Sequence, residues 1–179
     1  MISLCLLSPR DCLLAIVISV PANKQFSAHK HAFLSALAAE CNVPALTLEA
    51  TTSSGAAIVS PDDIIRITPT MLADPLADEK LERRINSYKK DKLILAGETS
   101  EGAVTFTAIS ALVRGFDVYV IDDLCSGSSA YVHQLAMQRL VQAGAILTTT
   151  SQLQAEWGAT RLQPAAVPET GKVSEQARF

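Results

Sequence analysis

Residues 13–20 (LLAIVISV) form an unbroken apolar run rich in β-branched side chains. A strand with one wet face alternates apolar and polar residues; a run without alternation is buried on both faces. Such a strand sits in the middle of a parallel sheet, so the rest of the chain must supply further strands beside it and helices above and below.

The remaining pattern supplies both. Ser27 is a helix start, and Phe33, Leu34, Leu37, Ala38 and Cys41 fall on one helical stripe. Asn42 and Pro44 end that helix. Residues 45–49, 63–68, 92–96, 117–121 and 145–148 read as five further strands. Residues 78–90, the segment from Ser100 to Gly115, and residues 129–143 read as helices, followed by a last helical turn or two up to Trp157. Strand and helix in alternation predict an α/β fold: a three-layer α/β/α sandwich on a six-stranded, mainly parallel sheet. A chain of 179 residues fits one domain that buries roughly 70% of its unfolded surface. The domain is expected over residues 1–157. Residues 158–179 are polar and carry two prolines, which suggests an extended tail or an arm that docks on a neighbour.

Composition narrows the partners. With 15 Lys and Arg against 18 Asp and Glu, no excess of cations exists to displace phosphate counterions, so no nucleic-acid partner is expected. Aromatic residues are 5%, too few for base-stacking platforms. The cysteines Cys5, Cys12, Cys41 and Cys125 show no C-x-x-C spacing and read as reduced thiols, which points to the cytosol. The N-terminal segment lacks a basic start, and Pro9, Arg10 and Asp11 divide its apolar stretch. Neither half reaches the roughly 20 residues of a bilayer span, so neither a signal peptide nor a membrane anchor is expected.

In an open parallel sheet, ligands gather beyond the C-terminal strand ends where strand order reverses. That rule nominates Ile18 and Ser19 from the end of the first strand, Glu49 from the second, and Thr68 with Pro69 from the third. It also nominates Glu98, Thr99, Ser100 and Glu101 after the fourth strand, and Asp122, Asp123 and Cys125 after the fifth. Residues 97–102 (GETSEG) lead from strand into helix; their N–H groups suit an anion or a carbonyl oxygen, while an ordinary cap at Ser100 explains them equally well. Asp122 and Asp123 read as a cap or a loop hydrogen bond. His29 and His31 lie about 200° apart on a helix and make no metal site. His133 has no evident partner. There is no G-x-G-x-x-G, no G-x-x-x-x-G-K-[ST] and no G-x-S-x-G, so no nucleotide cofactor and no metal is expected.

Within residues 93–145, Gly97, Val104, Thr107, Ala108, Ala111, Gly115, Phe116, Val118, Val120, Asp123, Arg139, Ala143 and Gly144 fall in one register. In that register the segment resembles the isochorismatase-like cysteine hydrolases, and with the first strand and helix the resemblance extends over roughly residues 11–157. It implies strand order 3-2-1-4-5-6, a homo-oligomer, and a pocket served by a Cys nucleophile, an Asp base and a Lys. Carried over residue by residue, the Cys position is Ala103, the Asp position Ile18 and the Lys position Pro69; Ser100 stands where the family has Thr, and Val20 where it has Gln. A methyl group cannot attack a carbonyl and an isoleucine cannot take a proton. The family's D-x-H-x-H metal motif is absent too, and the loop after residue 50 is short.

The resemblance therefore implies a catalytically silent member, a pseudoenzyme that binds or scaffolds and retains room for a small molecule. The alternative is a hydrolase of a small amide, imide or vinyl ether whose chemistry has moved to Glu98, Glu101 or Cys125. A third reading is a partner subunit for an active paralogue, with the N-terminal residues and the tail as contact arms.

Overall fold

The computed structural model describes residues 7–20, 26–51, 64–67 and 74–162. Among these residues six strands make one sheet in the order β3-β2-β1-β4-β5-β6. They are β1 (Cys12–Val20), β2 (Ala45–Thr51), β3 (Ile64–Ile67), β4 (Lys92–Glu98), β5 (Asp117–Ser126) and β6 (Ile146–Thr148). Every pairing is parallel. The apolar run is thus the central strand, hydrogen-bonded on one side to β2 (Leu14 beside Ala45) and on the other to β4 (Leu14 beside Ile94).

The α-helices among the described residues are α1 (Phe26–Cys41), α2 (Glu79–Ser87), α3 (Thr105–Val113), α4 (Ala130–Ala143) and α5 (Thr150–Leu162). Two apolar cores result, one on each face of the sheet. Leu13, Ala15 and Val17 of β1 pack with Leu81 and Ile85 of α2, Ala108 and Ala111 of α3, and Leu140 of α4. Cys12, Leu14 and Ile16 pack with Leu34 and Ala38 of α1 and with Leu153 and Trp157 of α5. Alternate residues of one strand feed opposite layers, as a period of two requires.

Local signals set the helix ends. The Asp78 carboxylate accepts from the N–H groups of Lys80 and Leu81 and caps α2. Ser129 accepts from the N–H of Val132 and caps α4, which Gly144 closes in a left-handed conformation (φ 103°). Asn42, at φ 59°, turns the chain out of α1.

Several sequence expectations need correction. Helix α1 already includes Ser27. Phe33, placed on the apolar stripe, is exposed, because Leu34 and Ala38 take the core-facing sector of that helix. Strand β5 runs to Ser126 rather than to residue 121. Helix α5 passes through Gly158 to Leu162, so the helical part ends later than Trp157. Pro69, Thr68, Cys5 and the loop after residue 51 lie outside the described residues, as does the tail beyond residue 162. Among the described residues, no helix is long and apolar enough to cross a membrane.

Candidate functional site

The sheet's order reverses between β1 and β4: the chain leaves β1 for β2 and β3, then returns to β4 and continues outward to β6. The crevice of such a sheet lies beyond the C-terminal ends of those two strands. There β4 passes unusually close to β1. Gly97 has φ 144°, and a Cβ on it would stand 1.9 Å from the carbonyl oxygen of Val17. Only glycine fits.

Thr99 then takes a left-handed conformation (φ 56°, ψ 59°) and one π-helical turn, Ser100–Val104, leads into α3. A threonine in that region costs of order 1 kcal/mol, so the surroundings must hold it. The Thr99 carbonyl accepts from Gly102 N–H at 2.9 Å, the Thr99 hydroxyl donates to the Glu98 carbonyl at 2.7 Å, and the Thr105 hydroxyl donates to the Ser100 carbonyl. Ser100 is therefore the first residue of the turn and not a helix cap. Ala103 lies on this turn, 2% exposed, in the core shared with α3 and α4.

Ser100 is fully buried, and its Oγ lies 3.1 Å from Nδ1 of His133 on α4. Nε2 of the same ring lies 3.1 Å from Oδ1 of Asp122 on β5. A carboxylate only accepts, so Nε2 carries the ring proton and Nδ1 accepts from the Ser100 hydroxyl. His133 thus has two partners, contrary to the sequence expectation. Asp122 is the base of this chain of hydrogen bonds, whereas Asp123 accepts from Thr150 N–H at the start of α5 (2.9 Å), the cap expected of the pair.

What aims Asp122 at α4 is an irregularity in β5. Leu95 of β4 pairs with Val120 and Gly97 pairs with Cys125, so one residue of β4, Ala96, is matched against four of β5, residues 121–124. The surplus bulges out, and a bulge re-aims side chains. Reading β5 as ending at residue 121 hid this. Asp122 looked like a loop residue, and nothing in a hydropathy pattern reports a bulge.

Glu101 ties the next loop down. Its Oε1 accepts from Ser128 N–H at 3.0 Å, and its Oε2 stands 3.5 Å from the Ser100 hydroxyl. Burial pushes its carboxyl upward, but hydrogen bonds from its own N–H and from Ser128 outweigh this, leaving it below the usual carboxylate range. Gly127 closes over Ser100: a Cβ there would stand 2.8 Å from Ser100 Oγ and 2.9 Å from Glu101 Oε2. The order Ser–His–Asp is that of serine hydrolases, but this hydroxyl is sealed and cannot reach an acyl carbonyl in the conformation present.

The other nominated residues spread out. Ile18 pairs with Glu49 and packs against the core on the α1 and α5 side, whereas Ala103 belongs to the opposite core, so the sheet separates them. Ser19 pairs with Ala50 in the β1–β2 ladder. Glu98 ends β4 beside Ser126. Cys125 is buried in the α3 and α4 core. Cys12 is buried at the start of β1, where desolvation pushes its thiol up to about 12. Among the described residues, no group of three or more His, Cys, Asp or Glu could hold a metal ion.

Two openings flank the hydrogen-bonded chain. A groove of about 710 Å³ between α4 and β6 is lined by Asp122, His133, Met137, Gln138, Val141 and Leu147, among others. A smaller one of about 250 Å³ meets Glu101, Thr105 and Arg139, whose guanidinium sits 5.5 Å over the ring of Phe106.

A family model, the isochorismatase domain, matches residues 24–152. The probable hydrolase YcaC of Escherichia coli is 38% identical over 72 residues, which are 40% of this chain and 35% of that protein. Isochorismatase domain-containing protein 2 of Xenopus laevis is 30% identical over 90 residues, 50% of this chain and 43% of that protein. The matched part spans under half the length of these curated relatives. Among solved structures, the E. coli YcaC protein, described as an octameric hydrolase of unknown specificity, superposes with a TM-score of 0.67 at 24% identity, covering 84% of this chain and 80% of that one. YcaC from Pseudomonas aeruginosa, solved with hexane-2,5-diol and covalent acrylamide, gives 0.70 at 20% identity, with 87% and 84% covered. At these identities the two structures speak for the fold.

Proposed function

The chain belongs to the isochorismatase family, and from that premise we propose that it is silent in cysteine-dependent hydrolysis and acts as a binding or scaffolding protein. One observation carries this reading. The turn after β4 presents at residue 103 a buried methyl group, at the position that the family resemblance gives to the attacking sulfur. A nucleophile there would draw on the partial positive charge of the following helix and on nearby backbone N–H groups; alanine leaves those devices with nothing to activate. Pro69, which the resemblance sets at the lysine position and which carries no amine, supports the same reading. The octameric state described for the E. coli YcaC protein supports a homo-oligomer here; size measurement alone and beside a co-expressed active paralogue tests this and the partner-subunit reading.

The test of silence is direct. Purified protein is assayed on small amides, imides and vinyl ethers, and no turnover is expected. Turnover that survives rigorous purification and disappears in a variant of the turn would overturn the proposal.

A hydrolase with relocated groups is the second reading. What favours it is that the Glu101 carboxylate, a relocated group that this reading names, lines the smaller opening beside Thr105 and Arg139. On that reading Glu101→Gln, Glu98→Gln, Cys125→Ser or Ser100→Ala abolishes an activity that the wild-type protein displays.

A further inference from the structure

We propose that the groove between α4 and β6 binds a small organic cation, a primary ammonium carried on a short apolar chain, with Asp122 as its counter-ion. The inference rests on the binding-protein reading and names the ligand class and the place.

The volume, about 710 Å³, is in the range of small-molecule sites. Charge decides what enters. Among the described residues, Asp122 is the only carboxylate of the lining, and neither Lys nor Arg contributes to it. The imidazole cannot supply a donor to an anion, because its Nε2 proton is engaged by Asp122 and its Nδ1 accepts from Ser100. An anionic ligand would therefore face a carboxylate with no compensating cation. An ammonium meets the opposite situation. The Asp122 side chain is 44% exposed, and one bond to His133 leaves most of a carboxylate's acceptor sites available.

The walls suit the rest of such a molecule. Met137 and Val141 lie one helical turn apart on α4, and Leu147 of β6 lines the same space, giving an apolar strip. Gln138 and Gln142, also one turn apart, offer amide oxygens to the N–H groups that Asp122 does not take. The carboxylate is already oriented, since the buried Ser100 hydroxyl fixes the ring and the ring fixes Asp122, so little freedom is lost on binding.

The experiment follows side-chain methyl signals of Met137, Val141 and Leu147 by NMR at pH 8 and low salt. Butylammonium, butyrate and butanol serve as probes on the full chain. Butylammonium should shift all three methyl groups and saturate, at least tenfold tighter than butanol, while butyrate leaves them unmoved. Asp122→Asn should weaken butylammonium at least tenfold. Gln138→Lys, a change at an exposed helix position that leaves the hydrogen-bonded chain intact, should do the same by placing a cation in the groove. Butyrate binding as well as butylammonium, or butylammonium binding unchanged in Gln138→Lys, would overturn the proposal. The hydrolysis assay reports separately: turnover with intact ammonium binding removes the silent reading and leaves this site standing, and no turnover with no binding removes this site alone.

Discussion

The hydroxyl of Ser100 and Nδ1 of His133 stand 3.1 Å apart, joining the turn after β4 to the first turn of α4. The contact is buried on the serine side, so removing the hydroxyl strips a ring nitrogen of its partner. Leaving a buried polar atom unsatisfied costs about 1–3 kcal/mol. Ser100→Ala should therefore unfold several degrees lower than wild type in a thermal melt, with unchanged far-UV circular dichroism before the transition. A melt that does not move would show that water replaces the serine at no cost.

Gly97 makes a second prediction. A methyl group there would press into the Val17 carbonyl at 1.9 Å, and its φ of 144° is closed to other residues. Neither strand can yield without breaking the ladder between β1 and β4. Gly97→Ala should cost more than about 3 kcal/mol and give little folded protein by circular dichroism and size exclusion. Gly115, where an added Cβ would meet nothing within 4 Å, carries only the cost of its φ of 87°. Gly115→Ala should be the milder of the two, by about 2 kcal/mol or more in chemical denaturation.

Acid should weaken the fold in a defined window. Arg114 grips Asp74 with both guanidinium nitrogens at 2.9 and 3.2 Å, and that contact, with the Ser110 hydroxyl, holds the Asp74 carboxyl below its usual range. Glu101 is lowered as well. Carboxyls with folded values below their unfolded ones contribute stability above the unfolded value, about 4, and lose it as pH falls through the folded value. Denaturation midpoints should stay level from neutral pH to about 5 and fall below about 4. Arg114→Ala should flatten that fall. Because Asp74 is half exposed, the substitution should cost no more than about 1 kcal/mol at pH 7. An acid limb as steep as wild type in Arg114→Ala would assign the dependence to other groups.

The thiol of Cys12 gives a fourth test. It is 0% exposed, its Sγ lies 3.0 Å from the Ser8 carbonyl, and it is pushed up to about 12. Thiolate is the reactive form. Iodoacetamide at pH 8 should leave Cys12 unmodified in the native protein and label it after unfolding in guanidinium, as read by peptide mass spectrometry. Labelling of the native chain at Cys12 would mean that the start of β1 opens on the timescale of the reaction.

Much of the fold was legible because it rests on local rules. The unbroken run at 13–20 could only be a central strand, and the caps at Asp78, Ser129 and Gly144 are where helix chemistry asks for them. The sheet's order came from the family resemblance and not from the residues alone. The site was only partly legible. Ser100 and Glu101 were nominated by their place after β4, but His133 was passed over. Its partners lie 33 and 11 residues away, one on the turn after β4 and the other on the bulged stretch of β5. Hydropathy records which side of a strand is apolar; it is blind to slack in a ladder and to a left-handed threonine such as Thr99. The separation of Ile18 from Ala103 is likewise a fact of parity along β1, which a match of residue types to a motif does not report.

The surplus residues of β5 also bear on how this chain can change. They are tied to the scaffold at several points: Ile121 pairs with Thr148 of β6 and is buried in the core, Leu124 packs against that core, and Asp123 holds the start of α5, while Asp122 between them meets the imidazole. A change of length in that short stretch would therefore retune the crevice and the scaffold together.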